Sequence, residues 1–245
     1  MAHQPIHRRH WLLTTGALVL SPCLPALAKG QKGGANMLTV YTFGDSILDC
    51  GHYNAHGVTP GALLVRNDDQ LFPEFAGQDL SSKRPARLVH RAVDGSTIDG
   101  LARQASGLQP TGSAIALLTV GGNDLIRGLA ADRGHGMAAF EAQLGRFLRA
   151  LPIKPVFLGT VYDPTFGDDT RNFLGVPPAI ARSNHRRINE VIAEMAARHG
   201  ALVDLHRHFL TGDASWFVNT IEPSLKGASE VRRAFLDVVI PALAA

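Results

Sequence analysis

Three apolar runs in succession break at a glycine. Residues 37–43 lead into Gly44-Asp45-Ser46, residues 87–93 into Asp94-Gly95-Ser96-Thr97, and residues 114–120 into Gly121-Gly122-Asn123-Asp124. Two further strand-like runs, 156–161 and 201–205, follow. Runs of this length, apolar rather than strictly alternating, are those of strands buried on both faces. Between and after them come helical patterns. Met137, Phe140, Leu144, Leu148 and Leu151 recur at spacings of three and four. A second pattern, from about 179 to 199, carries Ile188, Val191, Ile192 and Met195 on one side. A third begins near Ala228 and carries Val231, Phe235, Val238 and Val239 before Pro241. Strands alternating with amphipathic helices predict a single α/β domain with a five-stranded parallel sheet covered on both faces.

Parallel topology brings the carboxyl ends of such strands to one rim, where open α/β sheets take their ligands. A serine oxygen, a glycine N–H and an asparagine amide at that rim are the parts of a nucleophile with an oxyanion hole. Each part alone is common: Gly, Asp and Ser are ordinary turn and cap residues, and an Asn at Asn123 also suits a helix cap. Their arrival at three successive strand ends is what points to chemistry. Two long excursions, 50–85 and 162–178, also leave carboxyl ends of strands and are expected to touch substrate.

The amino terminus reads as an export signal. Arg8-Arg9 precede an apolar run over 11–20, and Ala26-Leu27-Ala28 supplies the small residues that a signal peptidase reads. The pair of arginines resembles a twin-arginine signal, with His7 where that pattern has Ser or Thr. Pro22 before Cys23 argues against a lipid-anchored start. The expected organisation is a signal peptide over 1–28, a flexible leader over 29–36 and one domain over 37–245. The mature protein is expected in the periplasm or outside the cell, without stable membrane insertion. Cleavage after Ala28 leaves Cys50 as the one cysteine of the mature chain, so no internal disulfide staples it. Cys50 is expected in the core. The formal charge of +3 includes Arg8 and Arg9, and Lys and Arg do not cluster, so no nucleic-acid partner is expected.

Gly44-Asp45-Ser46, then Gly95, then Gly121-Gly122-Asn123-Asp124 resemble the first three blocks of the SGNH, or GDSL-type, hydrolases. The resemblance spans about residues 38–241. It implies a flavodoxin-like, three-layer α/β/α fold and hydrolysis of esters or thioesters through an acyl-serine. It further implies that Ser46 is the nucleophile and gives its N–H to the oxyanion, with Gly95 adding a second N–H and Asn123 its side-chain amide. A small-molecule or cell-envelope ester is the expected substrate, with no cofactor and no metal.

The fourth block departs from the family. Where Asp-x-x-His-Pro is expected, this chain reads Asn219-Thr220-Ile221-Glu222-Pro223. Asn219 stands at the position of the orienting acid and Glu222 at that of the base. Three consequences are open at this level. Glu222 acts as the base if burial raises its basicity; His206 or His208, just past the fifth run, supplies it instead; or hydrolysis is lost and the pocket only binds an acyl or carbohydrate ligand. Acyl transfer to another alcohol is compatible with the same residues. Asp49 and His52 are expected to form loop structure, Asn67-Asp68-Asp69 a turn rather than a cation site, and Trp216-Phe217 core packing.

Overall fold

The computed structural model describes residues 37–244; the expected signal peptide and leader lie outside the described residues. The order of elements is β1 (Leu38–Gly44), α1 (Pro60–Val65), β2 (Ala86–His90), α2 (Leu101–Gln104), β3 (Ala114–Thr119) and α3 (Gly122–Ile126). Then come α4 (His135–Ala150), β4 (Val156–Gly159), α5 (Pro178–His199), β5 (Gly200–Val203) and α6 (Leu205–Phe209). The chain ends with a short ribbon, β6 (Phe217–Val218) and β7 (Glu222–Pro223), and helix α7 (Leu225–Ala244).

Five strands form one parallel sheet in the order β2-β1-β3-β4-β5, with helices on both faces. Successive side chains of a strand point to opposite faces, so a strand covered on both sides is apolar at most positions. Leu38 and Val40 of β1 and Ile115 and Leu117 of β3 join α1 and α7 on one face. Tyr41, Phe43, Ala116 and Leu118 join α4 and α5 on the other. The predicted stripe of α4 is buried at Met137, Phe140, Leu144 and Leu148, and that of α5 at Ile188, Ile192 and Met195. Each fully buried side chain of this size contributes about 2 kcal/mol.

The register aligns the strand ends that matter. Gly44 lies beside Thr119, Thr119 beside Gly159, and Gly159 beside Val203. At Gly44, φ is +118°, and a Cβ would fall 1.6 Å from the Thr119 carbonyl oxygen. Glycine is therefore required where β1 turns across its neighbour.

Several strand ends fall short of the apolar runs. β2 stops at His90, and Val93 is exposed. β4 stops at Gly159; two residues on, the Val161 N–H bonds the Asn189 side chain at 2.8 Å. β5 stops at Val203, because Asp204 accepts from the Arg207 N–H at 3.0 Å and starts α6. Helix α7 begins at Leu225, three residues before the pattern suggests, and continues through Pro241. In the first excursion, Asn67 bonds Asp69 at 2.7 Å and Asp68 accepts from the N–H groups of Gln70 and Leu71, which is the expected turn chemistry. Trp216 is buried against Phe209, and no helix among the described residues is long and apolar enough to cross a membrane.

Candidate active site

The turn after β1 presents Ser46. The Asp45 carbonyl accepts from the N–H groups of Leu48 (3.1 Å) and Asp49 (3.0 Å), which closes a helical turn behind the serine. The Asp45 carboxylate accepts from the Ile47 N–H and from the Thr119 hydroxyl at 2.8 Å, pinning the turn to β3. Gln104 of α2 holds the Gly44 backbone on both sides. Its Oε1 accepts from the Gly44 N–H at 2.7 Å, and its Nε2 donates to the Gly44 carbonyl at 2.8 Å. Burial pushes the Asp45 carboxyl up to about 7, and its Oδ2 makes no hydrogen bond.

Helix α3 fixes the loop that carries Gly95. Arg127 donates to the Gly95 carbonyl at 2.9 Å, Asn123 Nδ2 to the Ser96 carbonyl at 3.1 Å, and Asp124 accepts from the Ile98 N–H at 3.2 Å. Gln104 Nε2 adds a bond to Ser96 Oγ at 3.0 Å. One side chain of α3 or of its C-cap, Arg127, thus meets each of residues 95, 96 and 98. An amide nitrogen carries two hydrogens, so Asn123 keeps one donor beyond its bond to Ser96. Asn123 and Ser46 line the same groove. Asn123→Ala is expected to lower kcat by about 10²- to 10³-fold with little change in KM, as measured on a short-chain aryl ester.

Glu222 comes to Ser46 on the ribbon. β6 and β7 pair antiparallel, Val218 opposite Glu222, and Asn219 and Thr220 turn the chain with φ of 48° and 76°. Positive φ is uncommon for Asn and strained for a β-branched Thr. The turn is held from below by Tyr162, whose hydroxyl donates to the Ile221 carbonyl at 2.6 Å. Burial raises Glu222 above the usual carboxylate range, and the Ser46 hydroxyl facing it offsets part of that by hydrogen bonding to the charged form. Glu222 Oε2 is buried and makes no hydrogen bond. Asn219, where the resemblance puts an orienting acid, is exposed at the tip of the turn.

Of the two histidines considered as bases, His208 has a carboxylate partner and the buried His206 Nδ1 makes no hydrogen bond. His208 meets Glu230 at 3.0 Å and leans on Trp216. His206 packs edge-on against His185, with centroids 4.9 Å apart. Cys50 is fully buried, and burial pushes its thiol up to about 12, so it is no nucleophile near neutral pH.

A groove of about 830 Å³ of empty space, open to solvent, runs from Ser46 and Asn123 along the second excursion. Its walls are mainly apolar, with Ile126, Val161, Pro164, Phe173, Leu174 and Ile221 among them. Such a lining suits an apolar group beside the reacting carbonyl.

Gln104, Arg127 and Tyr162 had no signal in the sequence. An amide or guanidinium on a short helix reads as surface, and a Tyr after a strand reads as core. Asp94, Tyr53 and His52 also lie close enough to Glu222 to act on it electrostatically. Asp94 was legible only as the neighbour of Gly95.

Against known proteins, the family model described as GDSL-like lipase/acylhydrolase matches residues 42–228. Among solved structures, an α/β hydrolase from the metagenome of Lake Arreo, Spain, is 25% identical with a TM-score of 0.56, over 84% of this chain and 95% of that one. An acetylxylan esterase from Geobacillus stearothermophilus is 21% identical with a TM-score of 0.57, over the same shares. A lipase/acylhydrolase from Enterococcus faecalis is 20% identical with a TM-score of 0.59, over 82% and 94%. No curated protein matches the chain significantly.

Proposed function

We propose, from the premise that this chain belongs to the GDSL-like lipase/acylhydrolase family and is an ester-hydrolysing enzyme, that it cleaves carboxylic esters through an acyl intermediate on Ser46. Glu222 is the base in this reading. What supports it is the half-buried Glu222 carboxylate on the ribbon, whose basicity burial raises and on which the Ser46 hydroxyl acts. A serine hydroxyl needs such a partner to become a nucleophile at neutral pH.

In the first half-reaction, Glu222 takes the Ser46 proton as Oγ bonds the carbonyl carbon. The oxyanion then accepts from the Ser46 and Gly95 N–H groups and from the free Asn123 amide hydrogen. Collapse breaks the bond to the alcohol, and protonated Glu222 returns its proton to that oxygen. In the second half-reaction, water attacks the acyl carbon while Glu222 takes its proton, and Ser46 leaves with the proton restored. The apolar groove takes the acyl group. Arg8-Arg9 and the apolar run behind them support export to the periplasm or beyond.

A fluorophosphonate probe tests the reading, since it labels a serine only where a base activates it. Stoichiometric labelling at Ser46, found by peptide mass spectrometry, is the expected result. Absence of labelling under conditions where the protein stays folded leaves a pocket that binds without reacting.

A further inference from the structure

A buried amide connects loops that the sequence keeps far apart. Gln104 ends the short helix α2 and is 6% exposed. Its Oε1 accepts from the Gly44 N–H at 2.7 Å, and its Nε2 donates to the Gly44 carbonyl at 2.8 Å. The other Nε2 hydrogen goes to Ser96 Oγ at 3.0 Å. The Gly44 backbone fixes which way the amide points, since an N–H needs an oxygen and a carbonyl needs a hydrogen. Gln104 thus spends its oxygen and both its hydrogens inside the protein. Gly100 makes room for this contact, because a Cβ there would stand 2.9 Å from Ser96 Oγ.

Ser96 is the joint of the arrangement. Its carbonyl accepts from Asn123 Nδ2 at 3.1 Å, while its hydroxyl meets Gln104. A path of hydrogen bonds therefore runs from Gly44, two residues before Ser46, through Gln104 and Ser96 to Asn123. Two other bonds join the loops after β1 and β2. The Val93 N–H donates to the Gly44 carbonyl at 3.0 Å, and the Asp94 N–H to Asp49 Oδ2 at 2.9 Å. Both of these precede Gly95, and the Gln104 bond holds the residue that follows it.

Satisfying the end of β1 takes only the two bonds to Gly44; the third reaches the neighbour of Gly95. We propose that Gln104 and Ser96 are positioning residues of the oxyanion hole, which hold the Ser46 and Gly95 N–H groups and the Asn123 amide at fixed distances from one another. The proposal rests on those three groups being the oxyanion donors. Such donors act when each lies about 2.7–3.1 Å from the place the charged oxygen will take. A misplacement of about 1 Å can lower a rate by about 10²-fold. Loss of the link leaves every donor present. It frees the far side of Gly95 from the nucleophile turn, and it loosens the Ser96 carbonyl that aims Asn123.

The test compares Gln104→Met and Ser96→Ala with the wild type on p-nitrophenyl butyrate. Methionine keeps the length of the side chain and loses all three bonds. Ser96→Ala removes the cross-link alone and keeps both bonds to Gly44, so it decides the matter even if Gln104→Met does not fold. A fall in kcat of about tenfold or more is expected in Gln104→Met and of about three- to tenfold in Ser96→Ala, with KM within about twofold. The readout that a merely structural role does not move is the Ki of an alkyl trifluoromethyl ketone. Ser46 Oγ adds to its carbonyl carbon, the hydroxyl proton passes to Glu222, and the former carbonyl oxygen becomes the oxyanion. That Ki is expected to rise by the factor by which kcat/KM falls. A smaller folded fraction would lower the apparent kcat and leave Ki at the wild-type value. A wild-type Ki in Ser96→Ala overturns the proposal, whatever Gln104→Met does. Asn123→Ala with wild-type kcat and Ki would instead remove the oxyanion reading beneath it, so the two failures are distinguishable.

Discussion

Ser46→Ala is expected to lower kcat/KM for a short-chain aryl ester by about 10³-fold or more. The substitution deletes one oxygen at the turn after β1 and leaves the supports of that turn untouched. The Asp45 carbonyl, the Thr119 hydroxyl and Gln104 hold the backbone without using Ser46 Oγ. Thermal melting is therefore expected within a few degrees of wild type, so lost activity reads as lost chemistry. A variant that keeps a tenth of the wild-type rate would remove Ser46 from the reaction. Residual catalysis far below that is expected, because the oxyanion donors still act on direct attack by water.

Glu222→Gln is the second large effect. Glutamine keeps the size of the side chain and a hydrogen-bonding oxygen toward Ser46, and it cannot take a proton. A loss of about 10²- to 10⁴-fold in kcat/KM is expected from removal of the base alone. The sign of the pH dependence follows from the direction of the shift. Burial raises Glu222 above its usual 4.5, and the active form is the carboxylate. Wild-type kcat/KM is thus expected to climb as pH rises through a value above 4.5. In Glu222→Gln that acid limb is expected to vanish from whatever rate remains. An unchanged limb in the variant assigns it to another group, of which Asp45, at about 7, is the nearest alternative.

The sheet and the site differ in how far residue order discloses them. The runs ending at Gly44 and Gly121 were legible because burial on both faces leaves few polar positions, threonines among them, and because a strand end that crosses its neighbour needs glycine. Gly44 makes this concrete: its φ and its closeness to Thr119 exclude any side chain. β2 was less legible since it is the edge strand, where exposed Arg87 and His90 blur the apolar run. The ribbon carrying Glu222 was not legible as structure. Two-residue strands show no period, and its turn uses Asn219 and Thr220 in place of glycine. The supports of the oxyanion loop were hidden for another reason. Gln104, Asp124 and Arg127 act through contacts between elements far apart in sequence, and neither periodicity nor spacing records those.

The ribbon separates two kinds of responsibility in this molecule. Ser46, Gly95 and Asn123 follow β1, β2 and β3 on backbone that the sheet, Gln104 and α3 hold in place. Glu222 stands on an independent pair of short strands, held by Tyr162 at Ile221 and followed by α7. Replacing its side chain leaves the sheet rim as it was. On the reading proposed above, the proton acceptor is thus the part of the site whose replacement disturbs the sheet least. This is the position at which the chain departs from the pattern it resembles. A lineage that varies there can explore different bases, and different working pH ranges, on one unaltered nucleophile and oxyanion frame.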